Sequence, residues 1–272
     1  MTYGIRITTP EELAALPHPH AWLCDMDGVL IRENLVLPGA KEFISALESS
    51  GTPYLVLTNN SIFTRRDLSA RLATSGLDIP EERIWTSAVA TADFLASQSH
   101  GGSAYVIGEA GLTTALHQQG FVMTDTKPEY VVLGETRNYS FSAITQAIRL
   151  IEGGAKFIAT NPDASGPSPE GTLPATGSVA ALITTATNRK PYFVGKPNPI
   201  MIRAGLNRIG VHSETTAFIG DRMDTDMRSG LEAGLQTHLV LSGSTALEDV
   251  STYPFRPVAI HEGIGGVVPL VS

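Results

Sequence analysis

The sequence predicts an α/β protein whose central element is a parallel sheet with helices on both faces. Short, nearly continuous aliphatic and β-branched runs recur along the chain, as strands buried on both faces require. Between them lie longer segments of helical periodicity. Phe141, Ile144, Ile148 and Ile151, for example, are spaced three, four and three and share one helical face. The length of 272 residues suits one large domain or two ordinary ones and favours two.

The elements follow in order. Thr9, Pro10 and Glu12 place a capping hydroxyl, a proline at the first helical position and a glutamate three residues after the cap, so a short leading helix begins there. Strands are expected at 22–25, 54–58, 104–107, 130–133, 156–159, 192–194, 216–219 and 237–241. The units AYVIGE (104–109) and YVVLGE (130–135) echo each other and read as two parallel strands of one small sheet. Residues 161–177 are rich in Pro, Gly and Ser and are expected to form a long loop, the first suspect for substrate selection.

Composition narrows the class. Apolar residues make up 42% and charged residues 17%, which suits a globular chain. Nineteen basic against twenty-seven acidic residues give a net charge of −8, which disfavours nucleic-acid polymers and anionic membranes as partners. The single cysteine, Cys24, excludes an intramolecular disulfide and fits a reducing cytoplasm, where it reads as a small hydrophobe in a buried strand. With no apolar h-region at the N-terminus and no run long enough to span a bilayer, cytoplasmic residence is expected. Seven histidines without HExxH spacing argue against a zinc hydrolase, and His18 and His20 read as a solvated loop. Neither a Walker A sequence nor GxGxxG occurs, and Asn138-Tyr139-Ser140 carries little weight as a glycosylation site without an export signal.

Chemistry concentrates at strand ends. Asp25-Met26-Asp27-Gly28 closes the first strong strand; residues two apart in an extended chain project the same way, and Gly28 permits the tight turn that follows. A second acidic cluster, Gly220-Asp221-Arg222-Met223-Asp224-Thr225-Asp226, follows the strand TTAFI. Two acidic strand ends on one sheet edge suggest a shared hard cation such as Mg²⁺, although turn or helix-cap chemistry would use the same residues. Thr58-Asn59-Asn60 and Gly195-Lys196-Pro197 each follow a strand; a hydroxyl and amide donors can hold phosphoryl oxygens while an ammonium offsets their charge.

This ordered set resembles the four motifs of the haloacid dehalogenase superfamily, and VLTNNS, TSAVATADFL, VLGETR, FIATNPD, FVGKPNP and LVLSGSTAL make the chain similar to its NagD-like phosphatases. The resemblance runs from about residue 20 to about residue 257 and implies a Rossmann-like core (residues 1–98 and 192–272) with an inserted α/β cap (residues 99–191). It implies a Mg²⁺-dependent phosphomonoester hydrolase working through an aspartyl-phosphate, with nucleoside monophosphates or sugar phosphates as substrates. Asp25 would be the nucleophile and Asp27 the general acid and base, its pKa raised by neighbouring carboxylates. Mg²⁺ would be held by Asp25, Asp221 and the main-chain carbonyl of Asp27, with Asp226 behind them orienting Lys196 or a metal-bound water. Substrate contacts would come from Asp27, Thr58, Asn59, Asn60, Lys196, Arg222, Met223, Asp224 and Thr225. Alternatives are a phosphotransferase or phosphomutase on the same scaffold, or a phosphate-sensing receiver module, which is typically about half this length. The oligomeric state, monomer or homodimer, stays open.

Overall fold

The computed structural model describes residues 4–166 and 171–271. The chain divides into two compact units: Met1–Thr58, Asp67–Trp85 and Ile202–Ser272 form one, and Asn59–Arg66 with Thr86–Met201 the other.

The first unit is built on a seven-stranded sheet in the order Ile5–Arg6, Ala259–His261, Gln236–Val240, Thr216–Gly220, Ala21–Asp25, Tyr54–Thr58 and Ile84–Thr86. Pairing is parallel from the first of these strands through Tyr54–Thr58. The three central strands are buried at every residue, which is why they read as unbroken apolar runs. Cys24 pairs with Val56 on one side and Ile219 on the other and is fully buried, as the sequence suggests. This register brings the carboxyl ends of three strands to one level, with Asp25, Thr58 and Gly220 as their last residues.

Helix packing secures that sheet. The helix Ala40–Ser50 buries Ala40, Phe43, Ile44 and Leu47, and ends at Gly51, whose φ of 69° a side chain would resist. Phe43 meets Trp22 edge-on at 5.4 Å. Full burial of such a side chain contributes about 2–3 kcal/mol. The leading helix is Pro10–Ala14, with both halves of the capping box formed between Thr9 and Glu12.

The second unit holds a five-stranded parallel sheet in the order Tyr192–Phe193, Lys156–Ala159, Tyr130–Leu133, Ser103–Ile107 and Val122–Met123. The two echoing segments are indeed neighbours, with Ile107 opposite Leu133. Val131, Leu133, Phe157 and Ala159 from the strands pack against Ile144, Ala147 and Ile151 of Phe141–Glu152 and against Val179, Ala180 and Ile183 of Thr176–Thr187.

Two expectations change. Phe141 shares the helical face by spacing but is 86% exposed. It is the first residue after the cap Ser140, so its side chain points back beyond the helix start rather than onto the sheet. The expected loop at 161–177 contains an antiparallel pair, Ser165–Gly166 with Leu173–Pro174, and its last two residues already belong to the helix Thr176–Thr187; positions 167–170 of that loop lie outside the described residues. Among the described residues, no helix is long and apolar enough to cross a membrane.

Within the first unit, His238 and His261 are buried and stacked, with Nδ1 of His238 and Nε2 of His261 3.1 Å apart. Among the described residues the other ring nitrogens have no hydrogen-bond partner. Burial pushes His238 down to about 3, helped by the neighbouring His261, and His261 to about 4. Both rings are therefore neutral in the fold at pH 7, whereas the unfolded chain takes up protons near pH 6.5. Their stabilisation is complete above pH 6.5 and is lost as pH falls from 6.5 towards 4, by an order of a few kcal/mol. Urea midpoints should drop between pH 7 and pH 5, and a His238→Gln/His261→Gln variant should show a shallower slope; an unchanged slope would assign the effect to other groups.

Candidate active site

The first unit gathers acid at the carboxyl edge of its sheet. One carboxylate oxygen from each of Asp25, Asp221 and Asp226 lies within 4.8 Å of the others, and all three residues are buried. Asp25 is the last residue of its strand and Asp221 follows the last residue of another, so strand register sets this meeting. Asp226 enters from Met223–Met227, a single wide turn in which the Met227 N–H reaches the Arg222 carbonyl at 3.0 Å. Its carboxylate accepts the Arg222 N–H at 3.1 Å. Asp226, expected to stand behind the ligands, brings a carboxylate oxygen within 4.8 Å of those of Asp25 and Asp221.

Asp27 differs from Asp25 in environment. The strand stops at Asp25, and Met26 already accepts the N–H groups of Leu30 and Ile31 in a turn, so strict alternation no longer applies. Asp27 is exposed, and Gly28 takes φ 82° as the turn demands. Thr58 is buried at its strand end. Along the wide turn, the Arg222 guanidinium grips Asp224 through two hydrogen bonds of 3.0 and 2.8 Å. Thr225 is buried. The Met223 side chain lies in an apolar cluster with Met227, Leu239, Val250 and Ile260, so the turn is anchored by its methionines and any ligand contact of Met223 falls to its main chain.

A loop that the residue-by-residue reading passed over completes this edge. After the strand Gln236–Val240, the Ser244 N–H donates to Oδ2 of Asp221 at 2.6 Å, and the Thr245 N–H donates to the Asp221 carbonyl at 3.2 Å. The Ser242 hydroxyl donates to the Gly28 carbonyl at 2.8 Å. A Cβ on Gly28 would stand 2.5 Å from Oδ2 of Asp221, and one on Gly243 would collide with the same carboxylate. Its signal was present as Ser-Gly-Ser directly after a strand, in a phrase valued only for its resemblance.

In the second unit, Lys196 is 3% exposed and follows the strand Tyr192–Phe193 by three residues. Asn59 pairs with both main-chain groups of Lys196: its Oδ1 accepts the Lys196 N–H at 2.9 Å and its Nδ2 donates to the Lys196 carbonyl at 3.0 Å. Asn60 Oδ1 accepts the N–H groups of Ile62 and Phe63, each at 3.0 Å, the work of a turn residue.

The carboxylate group suits a small divalent cation. Its donors are hard oxygens, and three carboxylates this close repel one another by about 3–4 kcal/mol per ionised pair at an effective dielectric of ~20. Glycine backbone on two sides confines Asp221, which fixes a ligand's direction as metal sites require.

Fold and site define a hydrolase class that comparison identifies. The family model described as haloacid dehalogenase-like hydrolase matches residues 22–122, and a second HAD-type hydrolase model matches residues 193–266. The chain belongs to the haloacid dehalogenase-like hydrolases and, within them, is a NagD-like phosphatase. It is 64% identical over 244 residues to dihydroxyacetone phosphatase of Corynebacterium glutamicum, covering 90% of this chain and 89% of that one. It is 45% identical over 245 residues to the ribonucleotide monophosphatase NagD of Escherichia coli, covering 90% and 96%. The solved 4-nitrophenylphosphatase of Thermotoga maritima superimposes with a TM-score of 0.90 at 31% identity, covering 94% and 98%.

Gly243→Ala should push a methyl against Asp221 without touching the sheet core. The expected outcome is a concentration of divalent cation for half-activation raised by about tenfold or more, with far-ultraviolet circular dichroism unchanged. Wild-type activation by the divalent cation in this variant would show that the loop does not constrain the carboxylate.

Proposed function

We propose that this chain is a Mg²⁺-dependent phosphomonoester hydrolase that works through an aspartyl-phosphate on Asp25, with dihydroxyacetone phosphate as the first candidate substrate. The observation that carries the chemistry is the meeting of Asp25, Asp221 and Asp226 at one sheet edge. The substrate rests on 64% identity to a dihydroxyacetone phosphatase. Ribonucleoside monophosphates are the second candidate, favoured by the 45% identity to NagD.

Asp25 and Asp221, with the main-chain carbonyl of Asp27, would hold the ion, and the third carboxylate, Asp226, stands close enough to join or orient them. When bound, Mg²⁺ supplies positive charge that offsets the repulsion between a carboxylate nucleophile and a phosphate dianion. Asp25 attacks phosphorus in line, forming an Asp25 Oδ–P bond as the ester P–O bond breaks. Asp27, at the solvent side of the turn, gives its proton to the leaving oxygen. It then takes a proton from the water that attacks the acyl-phosphate, so Asp25 and inorganic phosphate are released. Lys196 steadies the phosphoryl oxygens as a point charge, and Thr58 and the main chain at Asn59 supply donors. Residues 99–191 would be the cap that this family inserts into its core.

Asp25→Asn should fold normally and lose hydrolysis by about a thousandfold or more, and wild-type protein should give an acid-stable phosphorylated species on quenching. EDTA should abolish activity and Mg²⁺ restore it. Full turnover by Asp25→Asn, with deamidation excluded by mass spectrometry, would remove the nucleophile. Ranking kcat/KM for dihydroxyacetone phosphate, UMP, GMP, pyridoxal phosphate and 4-nitrophenyl phosphate tests the substrate. Phosphate released to water rather than to an added sugar hydroxyl separates a hydrolase from a mutase or transferase.

A further inference from the structure

Asp163, the last residue of the phrase FIATNPD and given no role of its own above, closes a chain of hydrogen bonds that ends on Lys196. Asn59 Nδ2 carries two protons. One goes to the Lys196 carbonyl at 3.0 Å and the other to Oδ2 of Asp163 at 2.8 Å. With Oδ1 of Asn59 accepting the Lys196 N–H, the whole amide is committed and its orientation is determined. The same oxygen of Asp163 accepts Nδ2 of Asn161 at 2.7 Å, while Oδ1 of the buried Asn161 accepts the Thr160 hydroxyl at 2.8 Å. Two further contacts hold this segment against Lys196 and the helix Thr176–Thr187. The Gly195 N–H donates to the Thr160 carbonyl at 2.6 Å, and the Gly177 N–H donates to the Asp163 carbonyl at 2.8 Å. A Cβ on Gly195 would lie 2.7 Å from Oδ1 of Asn59, so the Lys196 backbone sits close against this amide.

We infer that Asp163 is a positioning residue: through the Asn59 amide it fixes the backbone from which the Lys196 ammonium reaches the phosphoryl group. The inference rests on the proposed role of Lys196. Without an acceptor for its second proton the Asn59 amide can rotate, and a swing of the Lys196 main chain is magnified along the four-carbon stem. The role inferred here is that of Oδ2 of Asp163 as a hydrogen-bond acceptor shared by the Asn59 and Asn161 amides, as distinct from its charge.

Asp163→Ala and Asp163→Asn separate these terms, because an asparagine carbonyl can accept both bonds. Asp163→Ala should lower kcat/KM for 4-nitrophenyl phosphate by about tenfold or more and raise the inhibition constant of inorganic phosphate in parallel. The Mg²⁺ concentration for half-activation should not move. Asp163→Asn should return both phosphate-dependent quantities to within about threefold of wild type. In a Lys196→Met background, Asp163→Ala should add no more than about twofold to the loss. Wild-type behaviour of Asp163→Ala would overturn the inference, as would equal losses in the alanine and asparagine variants or full additivity with Lys196→Met. Should the alanine variant not fold, Asp163→Ser, too short to reach Asn59, gives the same readouts. If Lys196→Met itself leaves the phosphate inhibition constant unchanged, it is the reading of Lys196 that fails, whatever Asp163 does.

Discussion

Three carboxylates buried within 4.8 Å of one another are the constraint on which the first unit turns. Such a group is unfavourable unless protons or a cation intervene, and neither its burial nor its repulsion helps the chain to fold. The surrounding structure therefore has to enforce it. Parallel register does so, since Cys24 is locked between Val56 and Ile219 and the residues beyond them cannot choose another level. Methionines do so for Asp226, because Met223 and Met227 sink into the core and pin both ends of the wide turn. Main-chain N–H groups do so for Asp221, whose Oδ2 is already taken by Ser244.

Much of this was legible in the sequence because the informative elements are extreme cases. Central strands of a parallel sheet are buried at every position and therefore largely apolar, so 22–25, 54–58 and 216–219 stand out and fall within a residue of the observed bounds. Edge strands carry no such signal. The edges Ile5–Arg6 and Ile84–Thr86, and the short inner strand Ala259–His261 beside the first of them, are two or three residues long, too short for a period to show, and their pairing is decided by neighbours remote in the chain. Phe141 marks the other limit: periodicity gives the face of a helix but not where the sheet beneath it ends.

The site was legible to the extent that its residues announce themselves as acids or as a lysine after a strand. The meeting of Asp25 and Asp221 follows from that pattern, and Gly28 follows from the turn it must make. Gly243 and Ser244 did not, because their contribution is an absent side chain and a main-chain N–H, which every residue but proline owns. Asn59 was visible as a donor, but not that both of its amide protons are spent inside the protein. Hydrogen-bond partners far apart in sequence are set by tertiary packing, and no spacing rule reaches from residue 59 to 163.

The histidine pair shows why burial alone does not identify a working group. His238 and His261 are as enclosed as the acids and share the same sheet, yet their difficulty is solved by giving up a proton, which a histidine does at neutral pH at modest cost. Stacked and joined by one hydrogen bond, they ask for no ligand at pH 7. A carboxylate has no such exit at neutral pH unless it takes up a proton against an ordinary value near 4. Where three carboxylates gather, each ionised pair repels its neighbour, and a divalent ion held among such oxygens offsets that repulsion. The acids, unlike the histidines, form a group of hard oxygen donors that could hold a metal ion, and that is what separates them from a merely buried pair.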